Sequence, residues 1–369
     1  MSIVKFSEVA HRAYTREDRF NTEKIYYVGG EHIDSCELYV TKKGVIKGST
    51  IGPMFYCGFT AGQILFVTRN PHLKKCSIAD FDGICSEKTF VIETKDESIL
   101  TQEYLAIIMQ SDDFWNYCEE NKSGGVNYFL NWSTLADYEF ELPPIKQQLE
   151  IAQKVMSAYR LKQSYKKLLD ATREMVKSQF IEMFGTVESY CKLEDLVSDT
   201  FPGEWGSEPT SENAIKVIRT TNFTNEGHLD LADVVTRDIE PKKVARKKLK
   251  QGDTILERSG GTKDNPVGRV VFFDEIGDYL LNNFTQALRP KESVNPVYLF
   301  YALYNSYNIN KAAMRAMASQ TTGIQNLSMS DFMSKSIVLP SRDEQNKFEQ
   351  IYRQADKSKF ELKQCIEHI

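Results

Sequence analysis

The chain repeats itself, and this repeat constrains its fold more than any other feature. The segment "YVGGEHI" (27–33) aligns with "VIRTTNF" (217–223) at an offset of 190, and Gly62 meets Gly252 at the same offset. Farther on, "GVNYFLNWSTL" (125–135) resembles "GIQNLSMSDF" (323–332), and "LPPIKQQ" (142–148) returns as "LPSRDEQ" (339–345). Four matches in the same order predict two copies of one folding unit, roughly residues 1–185 and 186–369.

Each half shows the same order of predicted elements. The runs "GQILFVT", "KTFVIET", "KVIRTTNF" and "VGRVVFF" are rich in β-branched and aromatic residues, which is typical of strands. A helical stretch follows near 101–121 and near 296–318, then a glycine loop, a short strand, Leu-Pro and a long helix. Proline cannot serve a central strand but fits the first turn of a helix. The pattern predicts an α+β fold with two globular α/β domains in a pseudo-twofold repeat.

The two long helices should hold the repeats apart. Apolar residues recur every three or four positions over 145–184, and Gly185 is a plausible C-cap. We expect a narrow seam of Ile151, Val155, Ala158, Leu161, Tyr165, Leu168, Thr172 and Met175. Forty residues at 1.5 Å each give about 60 Å. A second stripe over 342–369 predicts an antiparallel coiled coil between the two helices. The domains are then 1–143, 144–185 (spacer), 186–340 and 341–369.

Composition narrows the class of protein. The 369 residues are 41% hydrophobic and 26% charged, as in a soluble globular protein. The first residues lack a signal peptide's apolar core, and the seven cysteines form no CxxC, so we expect a cytoplasmic protein with reduced thiols. A net charge of −5 argues mildly against nucleic-acid binding, but local charge matters more. Residues 237–250 hold seven basic and two acidic residues, which could equally be a solvated face.

Catalytic motifs are missing from the sequence. "NPVY" (295–298) lacks the second proline of a methyltransferase motif, and "SGGTKDNPVG" (259–268) does not match a P-loop. The best catalytic candidate is a nuclease-like set of Asp82, Glu93 and Lys95, although such sets arise by chance in charged chains. We therefore predict no catalytic residue, no metal ligand and a binding protein, with a metal-dependent nuclease as an alternative.

Several strings together resemble the specificity subunit of type I restriction-modification enzymes. "LPPIKQQLEIAQKV" with "SQFIEMFG" is similar to that family's central conserved region, and "LPSRDEQNKFEQIYRQADKSKFELKQ" is similar to its distal one. "YVGGEHID" with "AGQILFVTRNPHLKKCSIADFDGICSEKTFVI" resembles one class of target-recognition domain. "IRTTNFTNEGHL" with "GDTILERSGGTKDNPVGRVVFF" resembles another. The resemblance covers nearly all of the chain.

The resemblance implies a function in phage defence. Each recognition domain would read one half of a bipartite site in double-stranded DNA, and the chain itself would do no chemistry. Two methyltransferase (M) subunits, which bind S-adenosylmethionine, and restriction (R) subunits, which use ATP and Mg²⁺, would be its partners, so no cofactor is expected in this chain. The shorter distal helix lacks a counterpart of "SQFIEMFG", so one end of the helix pair departs from the family's pattern. A paralogous scaffold or decoy that does not read DNA is the remaining alternative.

Three loops in each domain are the candidates for DNA contact. By position in the repeat they are 29–32, 69–75 and 122–127 in the first domain, and 219–225, 258–263 and 320–326 in the second. Cations and amides suit phosphates, and side-chain amides can bond adenine edges. The candidate residues are His32, Arg69, His72, Lys74, Lys75, Asn127, Arg219, Asn222, Arg258, Ser259, Lys263, Thr322, Gln325 and Asn326. A solvated loop is the alternative for each of them.

Overall fold

The computed structural model of the chain describes residues 2–210, 214–262, 264–321 and 324–369. The chain divides into two compact units. The first extends to Ser164 and includes Ile369, and the second is Tyr165–His368. The division falls inside one long helix, so each unit holds part of it. Within the described residues, no helix is long and apolar enough to cross a membrane.

The first unit mixes short helices with eleven strands among its described residues. Its helices are α1 (Phe6–Val9), α2 (Gln102–Ile108), α3 (Asp112–Glu120), α4 (Trp132–Ala136) and α5 (Ile145–Phe184), and a 3-10 turn covers Pro71–Leu73. Its strands are β1 (Ser2–Lys5), β2 (Ala10–Ala13), β3 (Thr15–Arg16), β4 (Tyr26–Val28), β5 (Gly44–Val45), β6 (Phe55–Phe59), β7 (Ile64–Val67), β8 (Cys76–Ile78), β9 (Gly83–Ser86), β10 (Thr89–Thr94) and β11 (Glu139–Leu142).

The second unit has a similar set of elements. Its further helices are α6 (Leu193–Leu196), α7 (Pro241–Lys247), α8 (Pro296–Ile309), α9 (Lys311–Ala316), α10 (Met329–Met333) and α11 (Arg342–His368), and a 3-10 turn covers Thr220–Asn222. Its strands are β12 (Tyr190–Lys192), β13 (Val197–Pro202), β14 (Ile215–Ile218), β15 (Val235–Arg237), β16 (Thr254–Glu257), β17 (Ser259–Gly260), β18 (Val270–Phe272), β19 (Tyr279–Leu281), β20 (Thr285–Pro290), β21 (Ala318–Thr321), β22 (Ile324–Leu327) and β23 (Ser336–Val338).

Sheet topology confirms the repeat that the sequence predicts. The first strand of each unit pairs antiparallel with the last, β1 with β11 and β12 with β23. A four-stranded sheet follows, ordered β2-β10-β7-β8 in the first unit and β13-β20-β16-β18 in the second. Each unit then contains one parallel pair, β4 with β9 and β14 with β19. The same three pairings in the same chain order define two copies of one α+β unit.

The central strands read as continuous apolar runs because both of their faces are buried. In β7, Ile64 and Phe66 pack into a core with α2 and α3, whereas Leu65 and Val67 pack into a second core formed with the five-stranded sheet β3-β6-β9-β4-β5. Strand β16 repeats this arrangement, with Leu256 facing the core under α8. Alternate side chains of a strand point to opposite faces, so a strand between two layers buries its side chains on both faces, and most of them are apolar.

The two long helices lie at the predicted positions. Helix α5 covers 40 residues and α11 covers 27. Within the second unit, Phe180 of α5 packs on Phe348 of α11 with ring centroids 5.1 Å apart. Arg173, two turns earlier in α5, and Lys363, later in α11, both pair with Glu226. An earlier position in α5 therefore lies beside a later position in α11, so these parts of the two helices run antiparallel.

The predicted seam of α5 is wrong in register. Val155, Leu161, Leu168 and Met175 are 37%, 46%, 52% and 42% exposed. The buried row lies one residue later, at Ala152, Met156, Leu169 and Val176. Met156 belongs to the core of the first unit and Val176 to that of the second. Each globular core therefore packs on its own segment of α5. The packed face lies about 100° around the helix from the face that the apolar spacing predicted.

A buried glutamine explains why the proline of Leu-Pro is followed five residues later by Gln in both halves. The Nε2 of Gln148 donates to the carbonyl oxygens of Pro143 and Ile99, and its Oε1 accepts from the Thr101 amide. Gln345 likewise donates to Pro340 O and accepts from the Asn295 amide. Thr101 and Asn295 are the N-caps of α2 and α8. Each glutamine thus fastens the strand-to-helix junction to the start of an earlier helix.

Candidate nucleic-acid interface

The three predicted loops of the first unit lie side by side. The Nζ of Lys75 donates to the carbonyl oxygen of Gly30, which joins the loops 69–75 and 29–32. The Asn70 amide donates to Tyr128 O at 2.9 Å, and the Leu130 amide donates to Thr68 O at 3.0 Å. These backbone bonds hold the loop 122–127 against the loop 69–75. The sequence selected the three loops by their positions in the repeat, and the structure brings them together.

A tight turn carries His72 to the surface of this loop cluster. Asn70 and Lys74 adopt left-handed backbone angles, φ 52° and 47°, on either side of the turn Pro71–Leu73. Asparagine tolerates this conformation, whereas lysine adopts it less readily. His72 and Leu73 between them are exposed, and Asn127 is exposed on the neighbouring loop. The turn therefore presents side chains outward from a rigid base.

The cations of the first unit differ in how they are held. The guanidinium of Arg69 lies 5.0 Å from the centre of the Phe129 ring, which orients it without neutralising it. The Nζ of Lys74 lies 3.3 Å from Asp112, whose side chain is 89% exposed, so water screens that pair. His32 turns inward, because its Nδ1 accepts from the Gly29 amide and its ring packs on Tyr27. His32 thus shapes the turn of its loop.

The loops of the second unit converge in the same way, through a small sheet. Strand β17 pairs with β22, which places Ser259 opposite Asn326 and Gly260 opposite Gln325. In the first unit, isolated bridges from Phe129 to Arg69 and Ser123 occupy the corresponding place. The structure thus joins the loops 258–263 and 320–326 by backbone pairing.

The amides on this small sheet are oriented by hydrogen bonds to their oxygens. The Ser259 hydroxyl donates to Oδ1 of Asn326 at 2.8 Å, and the Val267 amide donates to Oε1 of Gln325 at 3.3 Å. In both contacts the side-chain carbonyl oxygen accepts the hydrogen bond, so neither contact uses the NH₂ group of Asn326 or Gln325. Arg258 is half-buried, with Nη1 3.5 Å from Oε1 of Gln286. Lys263 and Thr322 lie outside the described residues.

A buried ion pair that the sequence did not reveal supports these loops. Glu257 is 2% exposed, and its carboxylate binds Arg269 at 2.7 Å and 3.2 Å. Burial lowers the pKa of Arg269, but the bonds to Glu257 outweigh burial and raise that pKa overall. The Nη2 of Arg269, which bonds Glu257 Oε1, also reaches Thr220 O at 3.5 Å, which links the loop 219–225 to the same support. Nothing in the local sequence distinguishes this pair from solvated charges.

Two candidate residues of the second unit serve the loop itself. Asn222 is 3% exposed, its Oδ1 accepts from the Arg219 amide, and its Nδ2 donates to the carbonyl oxygens of Asp230 and Asp233. The guanidinium of Arg219 bonds Asp233 O and the Asp233 carboxylate at 2.9 Å and 3.0 Å. The amide of Asn222 therefore fixes the loop and is not presented at its surface in this conformation.

The nuclease-like residues are each held by other groups. Asp82 accepts from the Ala61 amide and pairs with Lys24, both at 2.9 Å, and these contacts lower its pKa. Glu93 accepts from Gln63 and lies 3.1 Å from His11. Lys95 donates to the carbonyl oxygen of Ser7. Among the residues that the structure describes, no group of three or more His, Cys, Asp or Glu could hold a metal ion. The nuclease alternative gains no support from this arrangement.

Both units thus have converging loops at one side of a layered α/β body. The family model of the type I restriction modification DNA specificity domain matches residues 192–368. The specificity subunit of the type I restriction enzyme EcoDI from Escherichia coli is 28% identical over 155 residues, which is 42% of this chain and 31% of that protein. The alignment therefore spans less than a third of that relative.

Solved structures extend the match in fold to the whole chain. The type I restriction-modification S subunit from M. genitalium aligns with a TM-score of 0.62 at 12% identity, covering 100% of this chain and 92% of that one. A second solved structure concerns complex assembly and conformational transition of the type I R-M system. One of its chains aligns with a TM-score of 0.56 at 18% identity, covering 100% of this chain and 94% of that one. Residues 192–368 thus match the family model of a DNA specificity domain, and the first half repeats the fold of that segment. The whole chain is similar in fold to a type I restriction-modification S subunit.

Proposed function

We propose that this chain is the DNA-recognition subunit of a type I restriction-modification complex. Each unit would read one half of a bipartite site in double-stranded DNA, and the chain itself would carry no catalytic step. The observation that carries the proposal is the convergence of three corresponding loops in both units, through Lys75–Gly30 in the first and through β17–β22 in the second. Two independent reading surfaces on one chain suit two half-sites.

The side chains on these loops suit the two kinds of DNA contact. Arg69 and Lys74 are only weakly neutralised, as phosphate contacts require. The side-chain oxygens of Asn326 and Gln325 each accept one hydrogen bond within the protein. An amide oriented in this way can form a bidentate pair with adenine, because its NH₂ group donates to N7 and the second lone pair of its oxygen accepts from N6. Lys263 and Thr322, which the structure does not describe, complete the set of proposed contacts.

The partners follow from the same proposal. Methyltransferase subunits would bring S-adenosylmethionine to the site that this chain selects, and restriction subunits would bring ATP and Mg²⁺ for translocation and cleavage. The proposed complex would act on DNA in the cytoplasm. This assignment is supported by the match of residues 192–368 to the family model and by the similarity in fold to a type I restriction-modification S subunit.

An exchange of recognition units tests the proposal. Replacing residues 1–140 with the corresponding segment of a relative should change one half of the methylated motif in cells that carry this chain and its methyltransferase partner. A change in both halves would contradict independent reading. Methylation that kept the original motif would show that the first unit does not read DNA, and would favour a scaffold role.

Single substitutions in the purified complex separate the two kinds of contact. Lys74→Ala should weaken binding to specific and random duplexes alike and lower the salt slope by about one if Lys74 touches a phosphate. Asn326→Ala should cost about 1–3 kcal/mol of discrimination if its amide reads a base. His72→Ala and Asn127→Ala test the exposed side chains on the loops of the first unit by the same binding measurements. Unchanged binding by all of these variants would refute the loop assignment.

A further inference from the structure

Helix α7 carries a basic surface that the recognition loops do not use. The helix follows β15 in the second unit and packs through Val244 on a small cluster with Ile215, Val217 and Leu280. In the first unit, the corresponding stretch after β5 forms β6, a strand of the five-stranded sheet. The basic helix is therefore an addition to the second unit, and the fold common to both units does not require its charges.

The cations of this segment form two rows with different surroundings. Lys243 and Lys247 both reach the carboxylate of Glu204, at 3.3 Å and 2.6 Å, and Lys247 in particular lowers the pKa of Glu204. Lys242 and Arg246 are exposed and lie about 160° and 200° around the helix from Val244, facing away from the cluster. One row is thus neutralised within the protein, and the other points outward.

A further exposed cation follows the helix. Lys250 lies in the non-helical backbone three residues after α7 ends at Lys247. We call Lys242, Arg246 and Lys250 the outer basic row. None of the three side chains makes an ion pair or hydrogen bond within the part of the chain that the structure describes. Three unpaired cations in a chain of net charge −5 form a local positive surface.

We propose that the outer basic row binds phosphates of duplex DNA beside the half-site read by the second unit, independently of sequence. This inference rests on the proposed function. Lys242 and Arg246 are one helical turn apart, about 6 Å along the axis, so both can reach one DNA strand, whose charges recur about every 3.4 Å along the duplex axis. Each cation that replaces a condensed counterion adds to affinity without adding base preference.

A polyanion fits this surface better than an acidic protein partner does. The centres of protein interfaces are enriched in aromatic residues and depleted in lysine. The outer basic row consists of two lysines and one arginine. Between Lys242 and Arg246, Val244 packs on the cluster and Ala245 is small, so neither offers a large apolar anchor on the outer face. Phosphates need only charge and donors, which all three side chains supply.

A matched pair of double variants tests the proposal in the assembled complex. Lys242→Gln/Arg246→Gln removes two charges from the outer basic row, and Lys243→Gln/Lys247→Gln removes two paired charges from the same helix. We expect the first to lower the slope of log K against log salt by roughly 1.8, given about 0.9 per phosphate contact. Affinity should fall for cognate and random duplexes alike, so their ratio and the methylated motif stay the same. The second should change the slope by much less.

Several outcomes would overturn this inference, and they are distinguishable from a failure of the proposed function. If the wild-type complex prefers cognate DNA but the first variant keeps its full salt slope, the outer basic row does not bind phosphates although the chain reads DNA. If the first variant instead loses its methyltransferase partner, the surface is a protein interface. If the wild-type complex shows no cognate preference, the proposed function itself fails. The charge-conserving variant Lys242→Arg/Arg246→Lys should keep the wild-type salt slope. Circular dichroism of each variant checks that it is folded.

Discussion

Replacing Gln148 with leucine should destabilise the first unit more than its small change in volume suggests. Gln148 is 0% exposed and makes three hydrogen bonds to the backbone. Leucine has nearly the same volume, so the cavity that it leaves is small. The change would leave the Thr101 amide and the carbonyl oxygens of Ile99 and Pro143 without their hydrogen bonds to Gln148 and away from water. The expected cost therefore comes from unsatisfied polar groups.

The magnitude follows from the number of groups that lose a partner. A buried polar group left without a hydrogen bond costs about 1–3 kcal/mol, and carbonyl oxygens with a second partner cost less than a lone amide. Three such groups give about 3–5 kcal/mol in the free energy of unfolding. For a unit of this size, 1 kcal/mol shifts the melting temperature by about 2–4 °C, so we expect a shift of roughly 10 °C.

Thermal unfolding and amide exchange of the full chain measure this effect. Gln147→Leu is the matched control, because Gln147 is the exposed neighbour on the same helical turn. The Thr101 amide should also lose protection from hydrogen exchange in the Gln148 variant but keep it in the control. If both variants unfolded within 0.5 kcal/mol of each other, about the usual limit for surface substitutions, the buried hydrogen bonds would not stabilise the junction.

Three further predictions concern the second unit. Gln345→Leu should also destabilise, but less than Gln148→Leu, since it strands two backbone groups instead of three, and the same melting curves compare them. Glu257→Gln should cost about 3–5 kcal/mol in urea unfolding by leaving Arg269 without its partner, and the double change Glu257→Gln/Arg269→Gln should recover part of that cost. Burial raises the pKa of Asp356, but His228 and Lys359 outweigh burial and lower that pKa to about 2. Because the folded pKa lies below the ordinary 3.8, the resulting stability is present above about pH 4 and is lost as pH falls toward about 2, so Asp356→Asn should unfold less steeply with acid over that range.

The sequence predicted the strands and the long helices well because local residue patterns indicate them. Strand runs such as "GQILFVT" contain residues that fit only a strand buried on both faces, and β7 occupies Ile64–Val67 within that run. The limits of α5 coincide with the predicted 145–184, because proline opens the helix and Gly185 follows its end. The repeat then carried each assignment from one half to the other, and the paired sheets confirm it.

The helix seam and the polar loop residues could not be obtained in the same way. Apolar residues occur on more than one face of α5, and the choice between Val155 and Met156 depends on which globular core lies beside the helix. Likewise, Asn222 and Asn326 are the same residue type on corresponding kinds of loop. One is buried with its amide fully bonded, and the other is half-buried with its oxygen held by Ser259. Only tertiary contacts separate a residue that builds a loop from one that the loop presents.

The two units also show how a shared framework can support different reading surfaces. The parallel pairs β4–β9 and β14–β19 and the two buried glutamines are common to both units. The loops above them differ: isolated bridges join Arg69 and Ser123 to Phe129 in the first unit, whereas a three-stranded sheet joins Ser259 to Asn326 in the second. Because the cores lie beneath the loops, substitutions at exposed loop positions remove few buried contacts, and surface substitutions usually change stability by less than about 0.5 kcal/mol. Under the proposed function, the bases read by one half-site can therefore change through a few exposed side chains while the fold and the other half-site stay the same.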